Sequence, residues 1–163
     1  MKKILTLLIL LMNLFVCAVS ASNLIQGQVV GISDGDSITL MDSDHRQHKI
    51  RLQGIDAPEK AQAFGQTSKQ SLSNLVFQKN VEVHGSKKDR YGRTVGQVMV
   101  GGLDACLEQV KLGMAWHYKA YQGEQSPDDR VLYNEAEHLA RLQGIGLWQD
   151  SSPIEPSVFR HQK

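Results

Sequence analysis

The chain has 163 residues, of which 18 are Lys or Arg and 17 are Asp or Glu, so its formal net charge is +1. This balance excludes a strongly basic protein that attracts anions through its overall field, and an anionic partner has to be held by a local cluster of cations. The two cysteines are Cys17 and Cys106. The length fits one domain with a proper hydrophobic core.

Residues 1–21 have the pattern of a secretory signal peptide. A basic start at Lys2 precedes an apolar run over residues 4–16, and a small-residue cleavage site ends at Ala21. A membrane anchor is one alternative, although the run is short for a bilayer, and a lipidated Cys17 is another, although valine is a poor residue before it. We therefore expect an exported protein, periplasmic or secreted, that has no stable membrane association after cleavage.

Cleavage would change both the charge and the cysteine content of the chain. The removed segment contains two lysines and no acidic residue, so the net charge becomes −1. Cys106 would then be the remaining cysteine, which excludes an internal disulfide despite the exported context. Cys106 could be a reactive thiol, but it shares a helical apolar stripe with Leu107 and Val110, so we interpret it as a core residue.

Alternating apolar and polar residues predict five strands between turn signals. Asp34 and Gly35 form a hairpin signal between the first two strands, because glycine tolerates the positive φ that such a turn needs. Residues 84–93 are a basic loop between the last two strands. The five strands are predicted at residues 24–32, 37–41, 47–55, 80–84 and 94–100.

Helical periodicity predicts three helices, over residues 62–78, 103–112 and 127–143. The third has the clearest start, with a capping Ser126 and a proline at the first helical position. We expect it to bury Leu132, Ala136 and Leu139.

This element order predicts an α+β protein, mainly β: a five-stranded OB-fold barrel with three packed α-helices. The folded domain is expected over residues 22–149. The tail at residues 150–163 has two prolines and little periodicity, so we expect it to be extended.

Carboxylates stand beside two neighbouring strands. Asp34 and Asp36 precede the second strand, and Asp56 and Glu59 follow the third. If these strands pair antiparallel, Asp36 and Asp56 converge and offer hard oxygen ligands that suit Ca²⁺ or Mg²⁺ and not Zn²⁺. Glu59 could take a proton from water or orient it. The alternative interpretation is that Asp34 and Asp36 are turn residues and that Glu59 is a solvated loop residue.

Arg51 and Arg93 supply planar guanidinium groups that can bind two phosphate oxygens at once. Arg51 projects from the polar face of the third strand, and Arg93 ends the basic loop. Taken singly, they could equally be an exposed strand residue and a loop cation.

Three segments in a fixed order closely resemble the thermonuclease family, also called staphylococcal-nuclease-like domains. They are DGD at residues 34–36, IRLQGIDAPE at residues 50–59 and DRYGR at residues 89–93. With GLW at residues 146–148, the resemblance covers nearly all of the mature chain. It implies an OB barrel with three helices and Ca²⁺-dependent hydrolysis of DNA and RNA, with cleavage of the 5′ P–O bond and 3′-phosphate products.

The resemblance also implies a cation site. Asp36 and Asp56 would be the carboxylate ligands of Ca²⁺, and the backbone carbonyl of Ala57 a further ligand. Many members have Thr at the position of Ala57, and a backbone ligand survives that change.

The catalytic roles implied by the resemblance fall on three residues. Arg51 and Arg93 would hold the scissile phosphate, and Glu59 would be the general base or the group that positions water.

Basic and aromatic side chains are candidates for substrate binding, because stacking on aromatic rings tolerates any base. The alternative for Trp116 and Tyr118 is that they pack the end of the barrel. The candidates are Lys87, Lys88, Arg90 and Tyr91 in the basic loop, and Trp116, Tyr118 and Tyr121 after the second helix.

Two other functions fit an OB fold: a noncatalytic module that binds single-stranded nucleic acid, and an oligosaccharide-binding domain. The presence of Asp36, Arg51, Asp56, Glu59 and Arg93 together favours catalysis. We therefore expect a monomeric nuclease with DNA and RNA as substrates.

Overall fold

The computed structural model describes residues 24–162, and the predicted signal peptide lies outside this range. The strands are β1 (Leu24–Ile32), β2 (Ser37–Met41), β3 (Gln47–Leu52), β4 (Ile55–Asp56), β5 (Asn80–His84), β6 (Thr94–Val100), β7 (Leu103–Asp104) and β8 (Trp116–His117). The α-helices are α1 (Gly65–Val76), α2 (Ala105–Lys111), α3 (Pro127–Gln143) and α4 (Pro156–His161). Two 3-10 segments, Lys119–Glu124 and Gly146–Gln149, flank α3.

The barrel consists of β1, β2, β3, β5 and β6. Their order is β3-β2-β1-β5-β6, and β3 pairs with β6 in parallel to close it. This arrangement confirms the predicted α+β, five-stranded OB-fold barrel. The closing register sets Arg51 of β3 opposite Val95 of β6, so the end of β3 lies beside the start of β6.

The third predicted strand is shorter than expected. The chain turns at Gly54, whose φ of +76° is a conformation that glycine adopts without strain. Residues 47–52 stay in the barrel, whereas Ile55 and Asp56 form β4 and pair with β8. Asp56 is therefore held by a second, two-stranded sheet.

The inside of the barrel is a dry apolar core to which every barrel strand contributes. Cys106 is fully buried in it, and burial raises the pKa of its thiol, which agrees with a packing role. A second cluster outside the barrel contains Trp116, Ala140, Leu147 and Trp148. Among the described residues, no helix combines the length and the apolar character needed to cross a bilayer.

The first two helices begin later than predicted. α1 starts at Gly65 because Phe64, with a φ of 63°, turns the chain immediately before it. α2 starts at Ala105 because the Asp104 side chain accepts hydrogen bonds from two backbone N–H groups of its first turn. Leu103 belongs to β7 and pairs with Val100 of β6.

The bounds of α3 match the prediction, but its buried face matches only in part. Leu132 and Leu139 are 50% and 53% exposed. Ala136 is buried as predicted, and Tyr133 and Ala140 are buried in place of the two leucines. The Tyr133 hydroxyl donates to Asp104, 2.7 Å away, and this contact helps to fix which side of α3 faces the barrel.

The prediction of an extended tail is wrong for residues 156–161, which form α4. Proline occupies the first position of this helix, where its missing N–H costs nothing. The Gln62 side-chain amide donates to the carbonyl of Ile154 at 2.6 Å and holds the segment that leads into α4. Pro156 is buried, so the start of α4 is packed against the rest of the protein.

Candidate functional site

The candidate site lies where β2 begins and β3 ends. β2 and β3 are antiparallel with Ser37 opposite Arg51, so Asp36 stands next to the arginine. Arg51 contacts both predicted cation ligands: Nη1 lies 3.1 Å from Asp36 Oδ2, and Nη2 lies 3.1 Å from Asp56 Oδ1. The structure therefore brings Asp36, Arg51 and Asp56 together.

The turn before β2 fixes Asp36. Its Oδ2 accepts a hydrogen bond of 2.8 Å from the Ala57 backbone N–H, which sets this peptide beside the carboxylates. Gly35 is required there, because a Cβ would lie 1.8 Å from Ser68 Oγ. Asp34 Oδ1 accepts from the Asp36 N–H at 3.1 Å, so it serves the turn as the alternative interpretation proposed. Burial and the neighbouring Asp36 carboxylate raise the pKa of Asp34 to about 6.

Asp56 is 2% exposed. Burial raises its pKa above the ordinary value, and hydrogen bonds from Arg160 and the charge of Arg51 limit that rise. Its backbone pairs with Trp116 in the β4–β8 sheet. A buried carboxylate in this position requires cationic partners, whether guanidinium groups or a metal ion.

Both predicted phosphate-binding arginines are anchored by the protein. Arg51 Nη1 donates to the carbonyls of Leu52 and Ile55 at 3.0 and 2.9 Å. Arg93 Nε donates to Asp89 Oδ2 at 2.7 Å. Although burial opposes it, the hydrogen bonds from Arg93 hold the pKa of Asp89 below its ordinary value.

Ser37 links the two arginines, and the sequence analysis missed it. Its hydroxyl accepts from Arg93 Nη1 at 3.0 Å and donates to Asp36 Oδ1 at 2.9 Å. A continuous polar chain therefore runs from Arg93 through Ser37 and Asp36 to Arg51. A serine in an alternating strand is too common to indicate such a role from sequence alone.

Glu59 lies on the loop that follows β4, and its backbone N–H donates to Gln62 Oε1 at 3.1 Å. Its Oε1 accepts a hydrogen bond of 2.8 Å from Arg160 Nη1. Arg160 is in α4, where the sequence analysis assigned no role. It brings a third guanidinium group to the site.

The basic loop holds its predicted members in different environments. Tyr91 is 67% exposed, and the guanidinium carbons of Arg90 and Arg93 lie 4.9 and 5.5 Å from its ring centroid. Lys88 donates to Thr94 at 2.6 Å, and Lys87 pairs with Glu124 of the first 3-10 segment. The loop thus presents an exposed ring flanked by cations.

The aromatic candidates after α2 separate into two groups. Tyr118 and Tyr121 have ring centroids 4.9 Å apart. Burial and the Asp56 carboxylate raise the pKa of Tyr118. Its backbone N–H donates to the carbonyl of Gly54 at 2.8 Å. Trp116 is 8% exposed, with its centroid 4.5 Å from that of Trp148, which favours the packing alternative for it.

The donor set suits a hard cation only in part. Asp36, Asp56 and the Ala57 carbonyl are oxygen ligands, the type that Ca²⁺ prefers, but Ca²⁺ takes six to eight of them. In residues 24–162 there is no group of three or more His, Cys, Asp or Glu side chains that could hold a metal ion. The residues fit Ca²⁺ provided that water and phosphate oxygens complete the coordination.

Comparison with known proteins agrees with this geometry. Residues 49–150 match the family model described as staphylococcal nuclease homologue. An uncharacterized endonuclease of Haemophilus influenzae is 48% identical over 136 residues, which cover 83% of this chain and 73% of that protein. An uncharacterized endonuclease of Escherichia coli is 43% identical over 140 residues, 85% of this chain and 87% of the relative. A micrococcal nuclease of Shigella flexneri is 38% identical over 146 residues, 83% of this chain and 80% of the relative.

Proposed function

Because this chain is a nuclease of the staphylococcal nuclease family, we propose that it is an exported enzyme that hydrolyses phosphodiester bonds of DNA and RNA with Ca²⁺. The cut is at the 5′ P–O bond and leaves 3′-phosphate ends. The observation that carries the proposal is the polar chain Arg93–Ser37–Asp36–Arg51, which places two anchored guanidinium groups beside a buried carboxylate pair.

Arg51 and Arg93 bind the scissile phosphate in this proposal. A guanidinium group has five N–H donors. The contacts of Arg51 to Leu52, Ile55, Asp36 and Asp56 involve its two Nη groups, and those of Arg93 to Asp89 and Ser37 involve Nε and Nη1. The remaining N–H groups, Nε of Arg51 and Nη2 of Arg93 among them, are the donors proposed for phosphate oxygens. Since these contacts orient each group in advance, the arginines stabilise the charge that grows in the transition state without reorganising.

Glu59 accepts a proton from the attacking water or orients it. Its loop is short and is held by Gln62, which limits where the carboxylate can reach. Asp36, Asp56 and the Ala57 carbonyl would hold Ca²⁺, which supplies positive charge that neutralises the phosphate. Because these are only three protein oxygens, water and a phosphate oxygen would have to supply the other ligands that Ca²⁺ requires.

Substrate binding beyond the phosphate relies on rings and cations. Tyr91, Tyr118 and Tyr121 offer stacking surfaces, worth roughly 1–3 kcal/mol per base, that do not discriminate between bases. Lys87, Lys88 and Arg90 add charge along the backbone of the nucleic acid. This combination supports activity on DNA and RNA of any sequence. It requires no second copy, so we propose a monomer.

The test measures cleavage by the mature chain, from residue 22, on single- and double-stranded DNA and on RNA. Each reaction contains Ca²⁺, Mg²⁺ or chelator, and the chemistry of the product ends is determined. Glu59→Gln is compared with Glu82→Gln, which alters an exposed carboxylate on β5.

We expect Ca²⁺-dependent cutting with 3′-phosphate products, which Glu59→Gln abolishes and Glu82→Gln preserves. Tight binding of nucleic acid without cutting under every metal would instead identify the noncatalytic binding module. Detection of the full-length precursor solely inside cells would contradict the proposed export to the periplasm or medium.

A further inference from the structure

One guanidinium group engages both carboxylates to which the proposed chemistry assigns different roles. Arg160 Nη1 lies 3.1 Å from Asp56 Oδ1, and Nη2 lies 3.0 Å from Asp56 Oδ2. The same Nη1 lies 2.8 Å from Glu59 Oε1. This is bidentate, charge-assisted pairing on Asp56 with an additional bond to Glu59, which is among the stronger kinds of hydrogen-bonded contact.

These contacts compete with the roles proposed for both carboxylates. Both oxygens of Asp56 already have guanidinium partners, because Arg160 bonds to Oδ1 and Oδ2 and Arg51 also contacts Oδ1. A cation bound by Asp56 needs lone pairs and space that Arg160 occupies. The bond from Arg160 takes one lone pair of Glu59 Oε1 and makes this carboxylate a weaker base.

Arg160 leaves the site by competition and not by losing its proton. The hydrogen bonds to Asp56 and Glu59, opposed by burial, raise its pKa further above an already high value. A second positive ion must therefore displace it. Because Arg160 is part of the same chain, it competes intramolecularly, and this raises the concentration of free cation needed to occupy the site.

The element that carries Arg160 is a short helix. α4 has six residues, and helices shorter than about 12 residues are marginal by themselves, so its order depends on its contacts. Among these contacts are buried Pro156, the Gln62–Ile154 hydrogen bond, and a cavity that Phe159 lines together with Phe64. The side chain of Arg160 itself is 38% exposed, so solvent reaches the pair. α4 also follows the residues that match the family model.

We propose that α4 is an internal inhibitor: Arg160 occupies Asp56 and Glu59 in the cation-free enzyme, and cation binding requires it to withdraw. This inference rests on the proposed function, since it uses the roles proposed for Asp56 and Glu59. The consequence is a nuclease whose activity has a higher calcium threshold than its ligands alone would set.

The first test measures Ca²⁺ affinity by calorimetry for the mature chain, Arg160→Ala and the control Arg46→Ala. Arg46 is 74% exposed and lies in the loop at the other end of the β2–β3 hairpin, so its replacement removes the same charge away from the site. If Arg160 is withdrawn from Asp56 and Glu59 in about a tenth of the molecules, Arg160→Ala lowers the apparent dissociation constant for Ca²⁺ about tenfold. Equal affinities in Arg160→Ala and Arg46→Ala would overturn the proposal.

The second test uses only the parental protein, so it can be interpreted even if Arg160→Ala folds poorly. Hydrogen exchange at residues 157–161 is followed in the mature chain with chelator and with saturating Ca²⁺. We expect faster exchange with Ca²⁺, since withdrawal of Arg160 removes the contacts that order α4. Unchanged exchange under saturating Ca²⁺ would overturn the proposal.

Cleavage assays at a series of Ca²⁺ concentrations separate this inference from the proposed function. Tighter Ca²⁺ binding in Arg160→Ala, with no cleavage by any form of the chain, would support the inhibitory helix and contradict the nuclease mechanism. Cleavage with the same calcium threshold in both forms would support the mechanism and contradict the inhibitory helix.

Discussion

Arg51 lies in barrel strand β3, and Arg93 is bonded to Ser37 of barrel strand β2, whereas Glu59 lies on a loop and Arg160 on a six-residue helix. On the barrel side, the β2–β3 register sets Ser37 opposite Arg51, and Ser37 bonds to Arg93 and Asp36 at 3.0 and 2.9 Å. On the other side, Arg160 is bonded to both Glu59 and Asp56. One half of the site is thus fixed before any ligand arrives, and the other half has its own internal partner that a ligand must replace.

This difference matches what each half has to do. Stabilising a transition state by charge depends on groups that are already in place, so rigid strands are the better support. Admitting a cation and exchanging water depends on groups that can change partners, and loops and short helices do so at lower cost. Four predictions test this difference between the two halves of the site, in order of decreasing expected effect.

The largest effect is expected for Arg93→Ala. Loss of one fixed donor to the transition state typically lowers the rate by about 10²–10³. Arg46→Ala, which changes an exposed arginine in the loop at the other end of the β2–β3 hairpin, should retain most activity. The measurement is kcat on DNA with saturating Ca²⁺, together with circular dichroism to show that both variants fold. Cleavage by Arg93→Ala at the parental rate would refute its role.

Arg51→Ala should weaken the fold as well as the activity, because it leaves Asp36 with no arginine partner and frees two carbonyls. Removing one member of a buried ion pair costs on the order of 3 kcal/mol in the free energy of unfolding. Arg46→Ala breaks an exposed pair with Asp44 and should change it by less than about 1 kcal/mol. Denaturant unfolding without Ca²⁺ measures the free energy of unfolding of both variants. Equal unfolding midpoints for Arg51→Ala and Arg46→Ala would show that the contacts of Arg51 do not stabilise the fold.

Gly35→Ala tests the turn that places Asp36. The new methyl group would lie 1.8 Å from Ser68 Oγ and 2.8 Å from the Ala57 Cβ, so the turn must shift. Overpacking of this kind costs about 1–3 kcal/mol of stability. Gly123→Ala meets no atom within 4 Å of its Cβ and serves as the control. A Gly35→Ala protein with unchanged stability and Ca²⁺ affinity would show that the turn adapts freely.

The smallest effect is expected for a change of His117 and concerns the pH dependence of stability. His117 of β8 pairs with Ile55 of β4, the strand that contains Asp56. Burial lowers the pKa of His117 from 6.5, against the opposing hydrogen bond with Gln125. A lowered pKa means that the folded state resists protonation, so stability is complete above the unfolded value and declines as the pH falls through it.

Melting temperatures at about pH 7.5 and about pH 5.5 should therefore differ more in the parent than in His117→Gln. His84→Gln changes an exposed histidine and should keep the parental difference. If His117→Gln kept the parental difference in melting temperature, the pH dependence of stability would come from other titratable groups.

Much of the barrel side could be predicted from sequence, because its signals are local. The alternation of strands, the Asp34-Gly35 turn and the DRYGR segment each depend on a few consecutive residues, and antiparallel pairing then brings Asp36 and Asp56 together. The bounds of α3 were equally readable, since Ser126 and the following proline mark its start.

The errors have a common cause: the residues concerned are decided by distant partners. The buried side of α3 was predicted from Leu132 and Leu139, but Tyr133 turns the helix by bonding to Asp104. The third strand was predicted to continue to Ile55, but β8, far along the chain, takes that residue into a second sheet.

The sequence by itself determined the OB barrel, the family and the set of charged residues, because these follow from short-range periodicity and from motifs of consecutive residues. Only the tertiary structure decided that Ser37 connects the arginines and that Arg160 occupies the carboxylates. Arg160 and Asp56 are 104 residues apart in the chain. Contacts at such separation depend on how complete elements pack, and no local pattern in the tail records them.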